Sequence, residues 1–242
     1  MKIYLKIWRQ KNYSEPGFFE DFCLDEVSSD LSLLEALDLL NERLTRESRR
    51  PISFDSDCRE GICGTCGFLI NGRPHGGFEG LTTCQVYLRK FKNEDTLVLE
   101  PFRGGPFRII TDLVVDRSKF DEIITAGGYI SASVGQAPEA NSILVPKEIA
   151  EEAFDAAACI GCGACVAACP NGSAMLFTSA KIYHLNKLPQ GRPEAKKRAS
   201  RMISKMIESG FGACSLHGEC ETVCPKKISL KVINFALREA RR

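Results

Sequence analysis

Twelve cysteines, eleven of them gathered in three widely separated groups, constrain this 242-residue chain more than any other feature. The first group is Cys58, Cys63, Cys66 and, after seventeen intervening residues, Cys84. The second is Cys159, Cys162, Cys165 and Cys169, closed by Pro170. The third repeats the second's spacing as Cys214, His217, Cys220 and Cys224, closed by Pro225, with a histidine where the second cysteine would stand. Cys23 is alone. The chain opens Met1 to Trp8 without the basic leader, apolar core and cleavage site of a secretory signal, so extracellular disulfides are a poor explanation. In a reducing compartment, cysteines this close bind metal or do redox chemistry.

The spacing C-x4-C-x2-C with one distant cysteine is that of the plant-type [2Fe–2S] loop, in which four thiolates close around two irons. Gly61, Gly64 and Gly67 alternate with the ligands and permit the unusual backbone angles and close approach such a wrap needs. A zinc knuckle is the alternative. Structural zinc pairs two knuckles with short internal spacing, and one loop plus a distant ligand fits it worse.

The second group is the bacterial ferredoxin run, whose fourth cysteine serves the other cluster. Reciprocal exchange then predicts a [4Fe–4S] cluster on Cys159, Cys162, Cys165 and Cys224. Cys169, Cys214 and Cys220 are left, and three thiolates suit a [3Fe–4S] cluster. His217 either ligates a fourth iron, since imidazole suits iron, or merely fills the space of the missing ligand.

The surrounding patterns predict an α+β chain. Ile3, Leu5 and Ile7 alternate as in a strand, Phe68 to Ile70 runs into the hairpin signal Asn71-Gly72, and Thr96 to Leu99 is β-prone. Ser32 and Glu35 form a capping box before a helix to Leu44, with Leu33, Leu37, Leu40 and Leu44 on one face. After the break at Gly104-Gly105-Pro106 the periodicity becomes helical: Asp112 to Ala126, Pro146 to Ala157, and Pro193 to Glu208, with Gly210 just beyond. Met202, Ile203, Met206 and Ile207 are expected to face the core. The boundary is placed at residue 105, giving domains 1–105 and 106–242. Cys23 reads as an ordinary buried thiol, and His75 and His184 as core or surface histidines.

At 44% hydrophobic and 26% charged the composition excludes disorder, and no stretch approaches the roughly 20 apolar residues of a membrane span. Residues 181–242 carry 14 basic and 5 acidic groups, against 4 and 9 in residues 106–180. Such an imbalance favours an anionic partner or membrane surface, or is simply a solvated helical face.

Cys58-Arg59-Glu60-Gly61-Ile62-Cys63-Gly64-Thr65-Cys66, followed by two Cys-Pro runs with one cysteine missing, resembles the iron–sulfur subunit of succinate dehydrogenase and fumarate reductase over nearly the whole chain. The resemblance implies an N-terminal β-grasp ferredoxin domain and a C-terminal α-helical ferredoxin domain. It implies a flavoprotein partner carrying FAD, a membrane anchor subunit carrying haem b, and transfer of single electrons between flavin and quinone. No dicarboxylate site and no catalytic residue are expected here, and no nucleic-acid partner. In ubiquinone-linked members a tryptophan and a histidine help form the quinone pocket; Ala174 and Ser215 occupy those positions. Cys159 to Gly172 looks more like a bacterial subgroup that uses menaquinone and a di-haem anchor. Pro170 and His217 are the quinone-side candidates, and the cytoplasmic face of the cell membrane is the expected location. The alternative reading is the iron–sulfur subunit of another flavoprotein oxidoreductase, such as a thiol-linked fumarate reductase.

Overall fold

A computed structural model describes residues 1–131, 135, 139 and 143–241. The N-terminal half is built on a five-stranded sheet of order β2-β1-β5-β3-β4. Its strands are β1 (Ile3–Arg9), β2 (Phe18–Leu24), β3 (Leu69–Ile70), β4 (Arg73–Pro74) and β5 (Thr96–Glu100). β1 lies antiparallel to β2 and parallel to β5, with Leu5 opposite Leu97. Because side chains alternate along a strand, Ile3, Leu5, Ile7, Leu97 and Leu99 share one face and are fully buried.

Helix α1 (Leu33–Arg46) closes that face. The Ser32 hydroxyl accepts from the Glu35 amide at 3.3 Å and the Glu35 carboxylate accepts from the Ser32 amide at 2.6 Å, so the expected capping box is present. Leu33, Leu37, Leu40 and Leu44 are buried against the sheet, which makes this half a β-grasp. Asn71 and Gly72 take positive φ, as the turn between β3 and β4 requires.

The second half is helical: α2 (Ser118–Thr125), α3 (Lys147–Ala157), α4 (Ala164–Ala168), α5 (Met175–Lys187), α6 (Ala195–Glu208), α7 (Glu219–Thr222) and α8 (Lys231–Arg241). A stack of Phe120 between Phe177 (centroids 4.0 Å apart) and Phe211 (5.5 Å) centres its core. Phe102, only two residues past β5, already belongs to this second core, whereas Leu113 belongs to the first.

Four expectations change. Asp112 to Ala126 is not one helix: β6 (Arg108–Thr111) and β7 (Val114–Asp116) form a hairpin before α2 begins. The β-branched residues at 109–111 and 114–115 favour strands, and Asp112, at φ 44, turns the chain. Pro189–Glu194 is a 3₁₀ segment, so the expected 193–208 helix becomes α-helical only from Ala195. On α6, Met202 and Met206 are buried but Ile207 is exposed. Cys23 lies on β2, half-buried rather than buried, with its thiol 3.4 Å from Asp25.

The basic excess at the C-terminal end is partly consumed internally. Glu152 on α3 pairs with Lys187 at 2.8 Å and Lys231 at 3.4 Å, and Glu122 on α2 pairs with Lys205 at 3.4 Å. Among the described residues no helix is long and apolar enough to cross a membrane.

Asp112 ties the hairpin to the β-grasp. Its completely buried carboxylate accepts from Arg9 (3.0 Å), Arg50 (2.7 Å) and the amides of Gln10 (2.9 Å) and Ser53 (3.0 Å). Asp112→Asn keeps the shape and turn propensity but leaves Arg9 buried with a neutral partner whose NH2 group faces donors. Denaturant unfolding is expected to show a loss of about 3 kcal/mol. A second expectation concerns acid. Lys187 and the Tyr183 hydroxyl hold the Glu152 carboxyl down to about 2. Its stabilising contribution is therefore complete above the ordinary carboxylate range and lost as pH falls towards 2. Glu152→Gln should flatten that part of the acid-unfolding curve.

Candidate iron–sulfur sites

None of the twelve cysteines forms a disulfide, and the fold gathers eleven of them into three sets. In the first loop the amides of Glu60, Ile62 and Cys63 donate to the Cys58 sulfur at 3.3, 3.4 and 3.3 Å. Three N–H groups aimed at one sulfur are an environment for a thiolate rather than a thiol. The Thr65 hydroxyl lies 3.1 Å from Cys63 Sγ, and the Thr82 hydroxyl 3.1 Å from Cys84 Sγ. Burial raises the Cys63 thiol pKa, but Thr65 and nearby donors outweigh it and bring the value to about 7. Cys66 and Cys84 share a hydrogen bond: Cys84 is held low, at about 6, while Cys66 is pushed far up. Cys84 is brought in by a 3₁₀ turn at Thr83–Gln85, so the distant fourth ligand joins the other three.

Crossed pairing appears in the second and third groups. Cys159, Cys162, Cys165 and Cys224 line one cavity, with Leu176, Phe177 and Ile228. Cys169, Cys214 and Cys220 line another, with Ser173, Leu216 and His217. α4 and α7, which carry the middle cysteines of the two runs, pack against each other. The Ile228 amide donates to Cys224 Sγ and the Leu216 amide to Cys214 Sγ, each at 3.4 Å.

The dominant effect on Cys159, Cys162, Cys165 and Cys220 is desolvation. Burial pushes Cys159 up, Cys162 up to about 12 and Cys165 well above the ordinary thiol value, and the neighbouring cysteines add to this. Cys220 rises to about 11 through burial and then through Cys214 and Cys169. Four thiols in an apolar cavity cannot all ionise unless something positive sits among them. An iron–sulfur cluster has that chemistry: its ferric and ferrous ions supply the charge, and its own sulfides pack against apolar walls.

His217 is exposed at the mouth of the three-cysteine cavity, and Pro170 is exposed beside Cys169. At the two departures from the ubiquinone-linked pattern, Ala174 is fully buried, and Ser215 is exposed and accepts from Asn171 at 2.8 Å. His75 is buried beside Thr83, its Nδ1 accepting from the Thr83 amide at 3.2 Å, and burial lowers it to about 4. His184 is half-buried. Neither lies among the thiols lining the two cavities.

The first and second loops touch. A Cβ at Gly64, where φ is +74, would run into the Ile160 carbonyl oxygen and lie 3.2 Å from the Cys162 amide nitrogen; a Cβ at Gly67 would lie 3.1 Å from the Cys162 carbonyl oxygen. Arg117 spans the same contact, its Nη1 donating to the Gly64 carbonyl and reaching those of Gly161 at 3.4 Å and Cys162 at 3.5 Å. No local sequence signal marks Arg117, Thr65 or Thr82. Arg117 lies in the segment read as helix, and the threonines matter only through the folded positions of their neighbours.

Residues 4–122 match the family described as a 2Fe-2S iron-sulfur cluster binding domain, and residues 155–228 match a 4Fe-4S dicluster domain. The fumarate reductase iron-sulfur subunit of Escherichia coli O6:H1 is 31% identical over 206 residues, covering 81% of this chain and 75% of that protein. The succinate dehydrogenase iron-sulfur subunit of Bacillus subtilis is 28% identical over 201 residues, covering 79% and 72%. An uncharacterized iron-sulfur protein of Methanocaldococcus jannaschii is 28% identical over 93% of this chain, which spans only 41% of that relative's length. Among solved structures, a chain of the Mycobacterium smegmatis Sdh1 complex in the apo form shares the fold: TM-score 0.68 and 22% identity, covering 100% of this chain and 96% of that one.

Gly64→Ala tests the loop contact. It imposes an unfavourable backbone conformation and a clash with the Ile160 carbonyl, so a loss of stability of at least about 1 kcal/mol is expected in chemical denaturation. Gly72→Ala has a similar positive φ, but its Cβ would meet nothing within 4 Å. It should cost distinctly less.

Proposed function

The chain belongs to the family of iron–sulfur subunits of fumarate reductase and succinate dehydrogenase, and from that membership we propose that it is the electron-transfer subunit of a succinate:quinone oxidoreductase. The observation that carries this reading is the sequence of three thiol sets through one chain, with the first two ligand loops in contact. Cys58, Cys63, Cys66 and Cys84 hold [2Fe–2S]. Cys159, Cys162, Cys165 and Cys224 hold [4Fe–4S]. Cys169, Cys214 and Cys220 hold [3Fe–4S], with His217 beside it. Bound there, the clusters supply one-electron carriers between a two-electron flavin and a quinone.

The chain's own contribution is placement and tuning. Amides at Glu60, Ile62 and Cys63, and the hydroxyls of Thr65 and Thr82, stabilise charge on the sulfurs of the first site. Burial of Cys162 and of its apolar neighbours keeps the second site dry. The reading divides the chain into a β-grasp domain, residues 1–105, and a helical domain, residues 106–242; two cores support two domains, and they interlock across the boundary, with Phe102 in the second core and Leu113 in the first. It assigns succinate and fumarate chemistry to an FAD-bearing flavoprotein partner. A haem b-bearing anchor holds the complex at the cytoplasmic face of the membrane, with menaquinone as acceptor and Pro170 and His217 on the quinone side. Exposed basic groups of α6 and α8 favour that face through anionic headgroups.

A second reading, the corresponding subunit of a different flavoprotein oxidoreductase, draws on the match to the much longer M. jannaschii protein. Quinone reduction by the purified complex separates the two.

EPR of the purified complex, oxidised and dithionite-reduced, tests the cluster assignment. The expected result is an oxidised [3Fe–4S] signal, two further clusters on reduction, and about nine irons per chain. About ten irons without the oxidised signal would assign His217 as a ligand. Crossed pairing has its own check: Cys224→Ser should abolish the [4Fe–4S] signal and spare [3Fe–4S], and Cys169→Ser should do the reverse.

A further inference from the structure

The mechanism so far leaves one charged group unused at the place where the first two ligand loops meet. Arg117 lies at the junction of β7 and α2, half-buried, with its guanidinium reaching into that seam. Nη1 donates to the carbonyl of Gly64, between Cys63 and Cys66, and lies 3.4 Å from the carbonyl of Gly161 and 3.5 Å from that of Cys162. All three acceptors are neutral. Among the described residues no carboxylate forms an ion pair with Arg117. The nearby Asp55 carboxyl is raised by burial and drawn back by Arg117. One half-buried positive charge, without a direct ion pair among the described residues, thus faces two sites that each gain negative charge on reduction.

The loops it joins have no slack. Gly64 and Gly67 leave no room for a Cβ against Ile160 and Cys162, so the seam is backbone against backbone. Arg117 is the side chain that bonds across it. A guanidinium suits this task because it is always charged and offers several donors in a fixed fork, whereas a lysine ammonium is a single mobile point.

We propose that Arg117 is a shared positioning and tuning residue for the first two clusters, fixing their loops against each other and favouring the reduced form of both while leaving the third unaffected. This rests on the cluster assignment given above. The guanidinium's effect is electrostatic and local. In a partly buried site a unit charge shifts a neighbouring charge equilibrium by about tenfold or more, and the effect falls with distance towards the Cys169, Cys214 and Cys220 site, which Arg117 does not touch.

The test is an EPR-monitored redox titration of the purified complex carrying Arg117→Gln or Arg117→Lys, alongside the unaltered protein. The unaltered protein first establishes the clusters: absence of either of the first two from it would overturn the assignment itself, and this proposal with it. Given both clusters, Arg117→Gln is expected to lower the reduced-to-oxidised ratio of each about tenfold at a fixed ambient potential, with the [3Fe–4S] ratio unchanged. Arg117→Lys should retain most of the ratio. Wild-type ratios in an Arg117→Gln sample that keeps both clusters would overturn the proposal, as would an equal shift in all three. If Arg117→Gln fails to load its clusters, Arg117→Lys decides. Loading with near wild-type ratios supports the shared role, and renewed failure reduces Arg117 to a folding residue and overturns it.

Discussion

Backbone-to-backbone contact between the loop of Cys63 and Cys66 and the loop of Cys159 and Cys162 is the constraint on which the two halves of this protein depend. Glycines at 64 and 67 permit it, since a Cβ at either would meet the backbone opposite. Much of the rest serves that seam. β5 delivers Phe102 directly into the second core, and the ring covers the back of Gly67 and the neighbourhood of Gly163. The β6–β7 hairpin returns to the first half, where Asp112 is gripped by Arg9 and Arg50, and then hands Arg117 to the seam. Two cores with one interlocked connection hold two ligand loops in fixed register, and electron transfer over a gap needs that fixity more than it needs any reactive side chain.

The cysteine spacings were readable because ligand geometry is local. Four thiolates closing on one cluster demand short steps and glycines between them, and Gly61, Gly64 and Gly67 stood in the sequence where the wrap needs them. The spacing of the runs also anticipates which cysteines share a cavity, Cys224 with Cys159, Cys162 and Cys165, and Cys169 with Cys214 and Cys220. β1, α1 and the Asn71-Gly72 turn were legible for a similar reason: alternation, a capping box and a turn dipeptide each act within a few residues. What was not legible depends on distant partners. Asp112 to Asp116 has a helix-compatible apolar spacing, and burial of the Asp112 carboxylate against Arg9 and Arg50 adds a distant anchor to the local β preference in holding the turn there. Thr82 and Arg117 look like ordinary polar residues until folding sets them against Cys84 and Gly64.

The basic C-terminal quarter shows how composition can overstate a surface. Several of its charges are answered within the helical half, by Glu122 and Glu152, and Arg198 is buried with its donors spent on Gly127, Gly191, Asn186 and Tyr129. The residues free to meet an anionic surface are therefore fewer than the count suggests. Their arrangement on the exposed sides of α6 and α8 matters more than the total.

The two kinds of thiol environment differ in a way that bears on how the chain acquires its iron. In the first loop, amides and hydroxyls aim at the sulfurs of Cys58, Cys63 and Cys84; Thr65 helps to hold Cys63 low, and Cys66, itself pushed up, joins Thr82 in holding Cys84 low. In the helical half, desolvation dominates, and Cys162 and Cys165 are strongly opposed to ionising. Thiolates there are affordable only with iron in place, which makes metal entry and closure of that core a single coupled event. The contact at Gly64 and Arg117 joins these two kinds of loop, one with donors aimed at its sulfurs and one whose thiols are kept from water.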